Sequence, residues 1–267
     1  MNQAKPPAAD QEILYEVRDR IGFVTFNRPQ ARNALTFSMY DRLAEICSQA
    51  PDDGSLAAIV ITGAGDRAFA AGTDISLFRD FSSPERGIAY EKHADEIMTA
   101  IESCAVPTIA AIAGACTGGG AGIAACCDIR IATRDLKFGF PIARTLGNCL
   151  SAATLDRLIR LLGEGRVKDL IFTARLMGAE EAYAAGLVAE LLDDHAALMK
   201  RAEDLARQIA GHAPLTLRAT KELLRRLRRH GAGVDDTDVV AKVYTSADFR
   251  EGLEAFLAKR PPQWTGR

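Results

Sequence analysis

The chain has 267 residues, of which 48% are hydrophobic and 25% charged, proportions typical of soluble globular proteins. Its 33 basic and 35 acidic residues leave a net charge of −2, which argues against non-specific binding to nucleic acid or to an anionic membrane. The length excludes a small disulfide-stapled scaffold and allows a sizeable core. We therefore predict that neither nucleic acid nor a membrane is a partner.

Cysteine usage indicates free thiols rather than a metal site or a disulfide framework. The six cysteines form no C-x-x-C pair, and Cys126 and Cys127 are adjacent, which is poor spacing for two zinc ligands. Residues 1–10 carry neither the apolar run of a signal peptide nor the arginines of a transit peptide. Since reduced cysteines fit a cytosol-like compartment, we expect a cytoplasmic protein without a metal site.

In the first half of the chain, pairs of short apolar runs alternate with amphipathic segments. After a start at 1–12 that we expect to be flexible, strands are predicted over 13–17, 21–26, 57–62, 68–71, 106–112, 129–133 and 137–140. Helices are predicted over 38–50, 85–103 and 119–127. This pattern favours an α/β fold with two strands per helix, unlike the strict alternation of a dinucleotide-binding domain.

From residue 150 onward the pattern is mainly helical, with helices expected over 179–186, 200–210 and 215–229. Thr245 and Asp248 have the spacing of a capping box, which predicts the start of a last helix. The basic run at 218–229 lacks aromatic residues, so it indicates a solvated helix face, with the phosphates of a small anionic cofactor as the alternative ligand. We expect a core over 13–195 and a helical C-terminal region over 196–267.

Two glycine-containing segments carry the strongest functional signal. They are AFAAGTDI at 68–75 and IAGACTGGGAG at 112–122, and each follows a predicted strand. Backbone N–H groups at such junctions lack partners, and glycine lets a ligand approach them closely. Two facing turns would aim two N–H groups at one carbonyl oxygen, as in an oxyanion hole. The alternative is that both are tight turns with a packing role only; neither has dinucleotide or P-loop spacing.

Further motifs occur in a fixed order along nearly the whole chain. They are NRP at 27–29, NAL at 33–35, VPTIAAIAGACTGGGAGIAACCDIRIA at 106–132, KFGFP at 137–141, GAEEAYAAGLV at 178–188 and SADFREGLEAFLAKRPPQW at 246–264. Together with AFAAGTDI, this set resembles the enoyl-CoA hydratase/isomerase (crotonase) superfamily. The resemblance implies an α/β fold, the crotonase-like ββα superhelix, with a helical C-terminal region for oligomerisation and coenzyme A contact.

The resemblance also implies a substrate and its binding residues. The substrate would be an acyl-CoA thioester, with coenzyme A as part of the substrate and no permanently bound cofactor. The backbone N–H groups of Thr73 and Gly119 would hold an enolate oxygen, although Asp74 nearby also suits a helix cap. Residues implied along the coenzyme A path are Ala34, Ala70, Asp74 and Ile75, with Phe256 and Lys259 reaching a neighbouring subunit. A homotrimer or a dimer of trimers is the implied assembly.

The sequence departs from the family at the two positions where its hydratases resemble one another in carrying glutamates. These positions are Gly122 and Ile142 here, and residues 103–163 contain no glutamate. Arg144 and Asn148 are therefore our candidates for catalytic roles, because an arginine can bind a carboxylate bidentately and an asparagine can orient water or a carbonyl. Further candidates for acid or base are Thr145, Cys149, Tyr90, Glu91 and His93, although the helix carrying the last three is expected to be exposed.

The sequence thus leaves three functions open. The first is an acyl-CoA enzyme resembling enoyl-CoA hydratase, with an enolate in a backbone oxyanion hole but without the two-glutamate route to hydration. The second is a decarboxylase, isomerase or thioester hydrolase of the same family, because these reactions need fewer proton-transfer groups. The third is an acyl-CoA-binding subunit without catalysis.

Overall fold

The computed structural model describes residues 11–79, 83–231 and 233–267. The segment predicted to be flexible spans residues 1–12, and its first ten residues lie outside these ranges. The rest of the chain forms two sheets surrounded by helices, as the α/β pattern predicts. No helix within the described ranges is both long enough and apolar enough to cross a membrane.

The larger sheet contains six strands of the described chain. In chain order these are β1 (Ile13–Arg18), β2 (Ile21–Phe26), β3 (Ala58–Gly63), β5 (Thr108–Ile112), β7 (Ile129–Thr133) and β10 (Glu190–Leu192). They lie in the spatial order β1-β2-β3-β5-β7-β10, with β1 antiparallel to β2 and the others parallel. The parallel strands need crossover connections, and these carry the helices.

The smaller sheet is built from the second strands of the three later pairs and one short strand further along the chain. Its members within the described ranges are β4 (Ala68–Ala70), β6 (Ala115–Thr117), β8 (Lys137–Gly139) and the two-residue β9 (Met177–Gly178), in that spatial order. The helix α1 (Phe37–Ser48) follows the β1–β2 hairpin. Each of the next two helices, α2 (Pro84–Glu102) and α3 (Gly119–Cys126), follows one strand of the larger sheet and one of the smaller sheet. The prediction of two strands per helix is confirmed. The structure also contains β6, which lies inside the segment expected to be a glycine turn.

Side chains alternate between two cores on opposite faces of the larger sheet. Val24 and Phe26 of β2 pack toward α1, α2 and α3, whereas Ile21 and Phe23 face the other way. The second face is covered by the apolar side of α8 (His195–Ala210), through Leu198, Ala202, Ala206 and Ile209. The division of the chain at residue 195 stays a prediction, but α8 itself packs on the sheet.

The remaining helices follow β8 and α8 along the chain. They are α4 (Ile142–Thr145), α5 (Ala152–Leu162), α6 (Glu164–Thr173), α7 (Ala179–Ala184), α9 (Pro214–His230), α10 (Thr237–Tyr244) and α11 (Ala247–Leu257). The capping box predicted at Thr245 is wrong by one residue. Ser246 caps α11 by accepting the Phe249 N–H at 2.9 Å, while Asp248 accepts N–H groups of Thr265 and Gly266.

The expectation of a solvated basic face on α9 is only partly correct. Arg229 is exposed, but the other basic side chains of the run are half-buried, and most of them pair with carboxylates. The ion pairs of α9 join Lys221 to Asp128, Arg225 and Arg226 to Glu222, Arg226 to Asp238 and Arg228 to Glu102. Much of its charge is thereby neutralised within the chain, so α9 presents no broad positive field to a polyanion.

Asn33 ties the segment before α1 to both sheets. Its side chain is fully buried, donates to the carbonyls of Ala64 and Ala68 at 3.1 and 2.8 Å, and accepts the Arg28 N–H at 3.0 Å. Its φ of +53° is also a conformation that asparagine tolerates better than alanine.

We expect Asn33→Ala to lower the free energy of unfolding by about 3 kcal/mol, because several buried backbone groups lose their partners. Urea denaturation followed by circular dichroism measures this. The matched control is Asn148→Ala at an exposed position, where we expect a change within about 0.5 kcal/mol. Equal effects of the two substitutions would contradict the role given to Asn33.

Candidate active site

The two glycine turns identified from the sequence lie side by side. β4 and β6 pair in parallel, through Ala68 with Ala115 and Ala70 with Cys116, so the turns that follow them emerge at one edge. A Cβ added to Gly118 would lie 3.4 Å from Gly72 Cα, and the two glycines have φ values of +52° and +104°. The close approach and the left-handed backbone explain why glycine occupies both positions.

Each turn presents a backbone N–H group without a partner. Leu35 N–H donates to Gly72 O at 2.8 Å and Asp74 N–H donates to Leu35 O at 2.9 Å, which leaves the intervening Thr73 N–H directed away. Gly119 is the first residue of α3, where the helix offers its N–H no acceptor. Within the described ranges, neither N–H donates a hydrogen bond. Both N–H groups are therefore available to a ligand, and their role as an oxyanion hole stays a prediction.

Hydroxyl groups surround this pair of N–H groups. The Tyr40 Oη atom lies where a side chain on residue 119 would begin, since a Cβ added to Gly119 would be only 1.7 Å from it. Thr73 Oγ1 forms hydrogen bonds with Tyr40 Oη at 2.9 Å and with Tyr90 Oη at 3.1 Å. Burial raises the pKa of both tyrosines, so both phenols remain neutral near neutral pH and can donate hydrogen bonds.

A cavity of about 190 Å³ opens beside the two turns. Its walls come from the turns themselves, from α2, and from the segment that follows β8. Apolar side chains such as Met98, Ile142 and Leu146 form much of the lining, with a few polar groups among them. An apolar pocket with a few convergent polar groups is the usual form of a small-molecule site.

Comparison with known proteins agrees with this geometry. The family model for enoyl-CoA hydratase/isomerase matches residues 16–267. The short-chain-enoyl-CoA hydratase of Clostridium acetobutylicum is 32% identical over 251 residues, which cover 93% of this chain and 95% of that protein. The chain belongs to the enoyl-CoA hydratase/isomerase family.

Two further relatives support membership of the enoyl-CoA hydratase/isomerase family over the full length. The 2,3-dehydroadipyl-CoA hydratase of Escherichia coli K12 is 31% identical, covering 96% of this chain and 99% of its own. The crystal structure of an enoyl-CoA hydratase/carnithine racemase from Magnetospirillum magneticum superimposes with a TM-score of 0.89 at 33% identity, covering 96% of both chains. The predicted crotonase fold is confirmed. Enzymes of this family act on coenzyme A thioesters.

The two positions at which the family resemblance implies glutamates both line the cavity, and both are apolar. A Cβ added to Gly122 would lie 3.0 Å from Met98 Cε, so the Met98 side chain fills the space above this glycine. Ile142 opens α4 and is 8% exposed. Among the described residues, these two positions therefore supply no acid or base to the cavity.

Glu91 is the only carboxylate among the described residues that line the cavity. The expectation that it lies on an exposed helix face is wrong, because Glu91 is half-buried on the side of α2 that faces the turns. Burial raises the pKa of Glu91, the nearby backbone N–H of Ser151 opposes that shift, and the Asp95 charge adds to it.

The other candidates for acid or base are placed less favourably. His93 faces solvent, with Nε2 2.7 Å from an Asp41 carboxylate oxygen, so the expectation of exposure is correct for it. Arg144 is exposed and does not line the cavity, whereas Asn148 and Thr145 do. Cys149 is the exposed thiol; the other five cysteines are buried and free. No cluster of His, Cys, Asp or Glu in the described ranges could hold a metal ion.

The residues implied along the coenzyme A path occupy varied positions. Asp74 caps the 3₁₀ turn Ile75–Phe78 by accepting the Ser76 N–H, and it also accepts hydrogen bonds from Arg28 at 3.1 Å. The Ser76 hydroxyl, with Arg28 adding to the effect, lowers the pKa of Asp74. Ala34 is half-buried and Ala70 fully buried under Gly120, whereas Ile75, Phe256 and Lys259 are exposed.

Sequence reasoning missed Tyr40 as a member of the site. The signal was present, because Tyr40 shares a helix face with Leu43 and Cys47, all of them buried. A buried phenol needs a hydrogen-bond partner, which points to a polar contact at that face.

Proposed function

We propose that this protein is an acyl-CoA enzyme that stabilises a thioester enolate. The supporting observation is the pair of unpartnered N–H groups of Thr73 and Gly119 at the edge of an apolar cavity. When the Cα–H bond of a thioester breaks, negative charge develops on the carbonyl oxygen, and two fixed N–H dipoles stabilise that charge. The N-terminal end of α3 adds its favourable dipole, because Gly119 begins that helix.

The relatives named as hydratases make hydration the nearest activity by similarity, but this site does not favour the two-glutamate route. Hydration by that route requires one carboxylate to activate water and another to supply a proton. Gly122 and Ile142 provide neither group.

Isomerisation of an enoyl thioester is the second candidate, and it is favoured by Glu91, the one carboxylate among the described residues that line the cavity. One carboxylate can take a proton and return it at another carbon, so no second group is needed. Decarboxylation with Arg144 holding a carboxylate is less favoured, because Arg144 lies outside the cavity lining. A subunit that only binds acyl-CoA would have no use for an oxyanion hole.

We extend the proposal to coenzyme A contact and assembly. Asp74 and Ile75 lie directly beside Thr73, which suits contact with the pantetheine arm. The C-terminal helices expose a cluster of large apolar side chains, including Tyr244, Phe249, Leu253, Phe256 and Leu257, and such a surface is typical of an interface between subunits. A homotrimer or dimer of trimers, with Phe256 and Lys259 near a neighbouring subunit's coenzyme A, would cover it.

Exchange of α-protons tests enolate formation without requiring knowledge of the natural acyl chain. We expect the protein to incorporate deuterium at Cα of butyryl-CoA in D₂O, because the oxyanion hole stabilises the enolate of even an unreactive thioester. Mass spectrometry of the recovered thioester measures the exchange, with heat-denatured protein as the control. Exchange no faster than that control would contradict the proposed function.

A further inference from the structure

Helix α2 brings one carboxylate to the cavity. The two positions where the family resemblance implies glutamates lie on other elements of the chain. Glu91, Ala94 and Met98 are spaced by three and four residues, so they form one stripe along α2, and all three line the cavity. The same cavity contains Thr73 and Gly119, whose N–H groups form the oxyanion hole. The carboxylate and the oxyanion donors therefore line one cavity.

The surroundings of Glu91 leave its carboxylate without a cationic partner among the described residues. The backbone N–H of Ser151, the N-cap residue of α5, lies near enough to favour the ionised form. Within the described ranges no lysine, arginine or histidine forms an ion pair with Glu91. A carboxylate with no cationic partner stays free to accept a proton.

Neighbouring charged groups are already engaged elsewhere. Asp95, one turn further along α2, pairs with Arg157 at 3.1 Å and accepts the Ser151 hydroxyl at 2.8 Å. Arg157 is also bound to Glu102. This network fixes the N-terminus of α5 against α2 beside Glu91.

The phenols of Tyr40 and Tyr90 do not compete for the role of base. Burial raises the pKa of both, which keeps them protonated. They are engaged through Thr73 Oγ1 at the oxyanion hole, where neutral hydroxyl groups serve as donors. A base is thus needed from another group, and Glu91 is the described cavity residue with that chemistry.

We propose that Glu91 is the catalytic acid and base of this enzyme, acting on the α-carbon of the thioester held at Thr73 and Gly119. This inference rests on the proposed enolate function. The Glu91 carboxylate accepts the Cα proton, the C–H electron pair forms the Cα=C bond, and the carbonyl π electrons move to the oxygen. Collapse of the enolate returns the proton from Glu91 to the carbon chain, so the carboxylate is regenerated without an oxidant or co-reactant.

We expect Glu91→Gln to slow α-proton exchange of butyryl-CoA in D₂O about 1,000-fold, within the range that a positioned acid or base contributes. Glutamine has nearly the size of glutamate, and the contacts of Asp95 with Ser151 and Arg157 that join α2 to α5 are unchanged. The matched control is Glu96→Gln, which removes an exposed carboxylate from the same helix and should leave exchange unchanged. Butyryl-CoA affinity, measured by calorimetry, should be similar in all three proteins.

The outcomes separate this inference from the proposed function. Exchange by the wild-type protein that persists in Glu91→Gln would overturn the role of Glu91 while leaving enolate formation intact. Absence of exchange in the wild-type protein would overturn the proposed function. A comparable loss in Glu96→Gln, or lost affinity in Glu91→Gln alone, would indicate a structural contribution and would also overturn the catalytic assignment.

Discussion

Gly119→Ala is expected to lower the rate of α-proton exchange at least about 100-fold, a loss comparable to that of an oxyanion-hole donor. The substitution keeps the backbone N–H but adds a methyl group 1.7 Å from Tyr40 Oη and 3.2 Å from Thr73 Oγ1. Tyr40 is buried, so its ring has little room to withdraw, and the first turn of α3 must move instead. Moving that turn displaces the Gly119 N–H from the developing oxyanion. Deuterium incorporation into butyryl-CoA measures the effect.

A second substitution distinguishes this steric explanation from a general loss of stability. Tyr40→Phe removes the clashing oxygen and leaves Tyr40 Cζ, 3.0 Å from the added methyl, as the nearest ring atom. We therefore expect Tyr40→Phe/Gly119→Ala to recover part of the exchange lost in Gly119→Ala. Gly165→Ala, in α6 with open space around it, is the matched control and should exchange at the wild-type rate. Failure of the double variant to exceed Gly119→Ala would contradict the clash.

The glycine turns were predictable because their chemistry is local. Strand, glycine and helix follow one another in the sequence, and the unpaired N–H groups result from where α3 begins. The pairing of β4 with β6, which brings the turns together, depends on a three-residue strand at Ala115–Thr117. Such a strand has too few residues to show an alternating pattern, so the sequence alone did not distinguish it from the turn.

The position of Glu91 shows why the orientation of helix α2 was harder to predict than the glycine turns. Ile97 and Ile101 define the most buried side of α2, and Glu91 lies beside that stripe rather than on it. A polar residue next to an apolar stripe normally faces solvent, as His93 and Glu96 do here. Only the cavity left between α2 and the turns gives Glu91 a half-buried position, and that cavity results from contacts far apart in sequence.

The choice of Ser246 rather than Thr245 as the α11 cap depends on a local hydrogen bond, and the role of Asp248 depends on a more distant one. The Thr245 hydroxyl donates back to Ala241 O at 2.9 Å, which leaves Ser246 as the residue whose side chain caps the helix. Asp248 binds the C-terminal segment instead of completing a capping box. The spacing of the box was present in the sequence, but a competing partner for Asp248 came from 17 residues away.

Introducing carboxylates at residues 122 and 142 is expected to create hydratase activity. Gly122→Glu alone would compete with Met98, whose Cε lies 3.0 Å from the new Cβ, so Met98→Ala is included to make room. We expect Met98→Ala/Gly122→Glu/Ile142→Glu to hydrate crotonyl-CoA about 100-fold faster than the wild-type protein, because the pair supplies the acid and base that this wall of the cavity lacks. Loss of enoyl absorbance measures the rate.

The matched control for this gain is Met98→Ala/Gly122→Gln/Ile142→Gln. Glutamine has nearly the size and polarity of glutamate but neither gives up nor accepts a proton near neutral pH, so the control should hydrate crotonyl-CoA no faster than the wild-type protein. Two carboxylates in a confined site also raise the pKa of one of them, which supplies a protonated acid beside an ionised base. Equal rates in the glutamate and glutamine variants, with both bound to crotonyl-CoA, would show that something other than the missing carboxylates limits hydration.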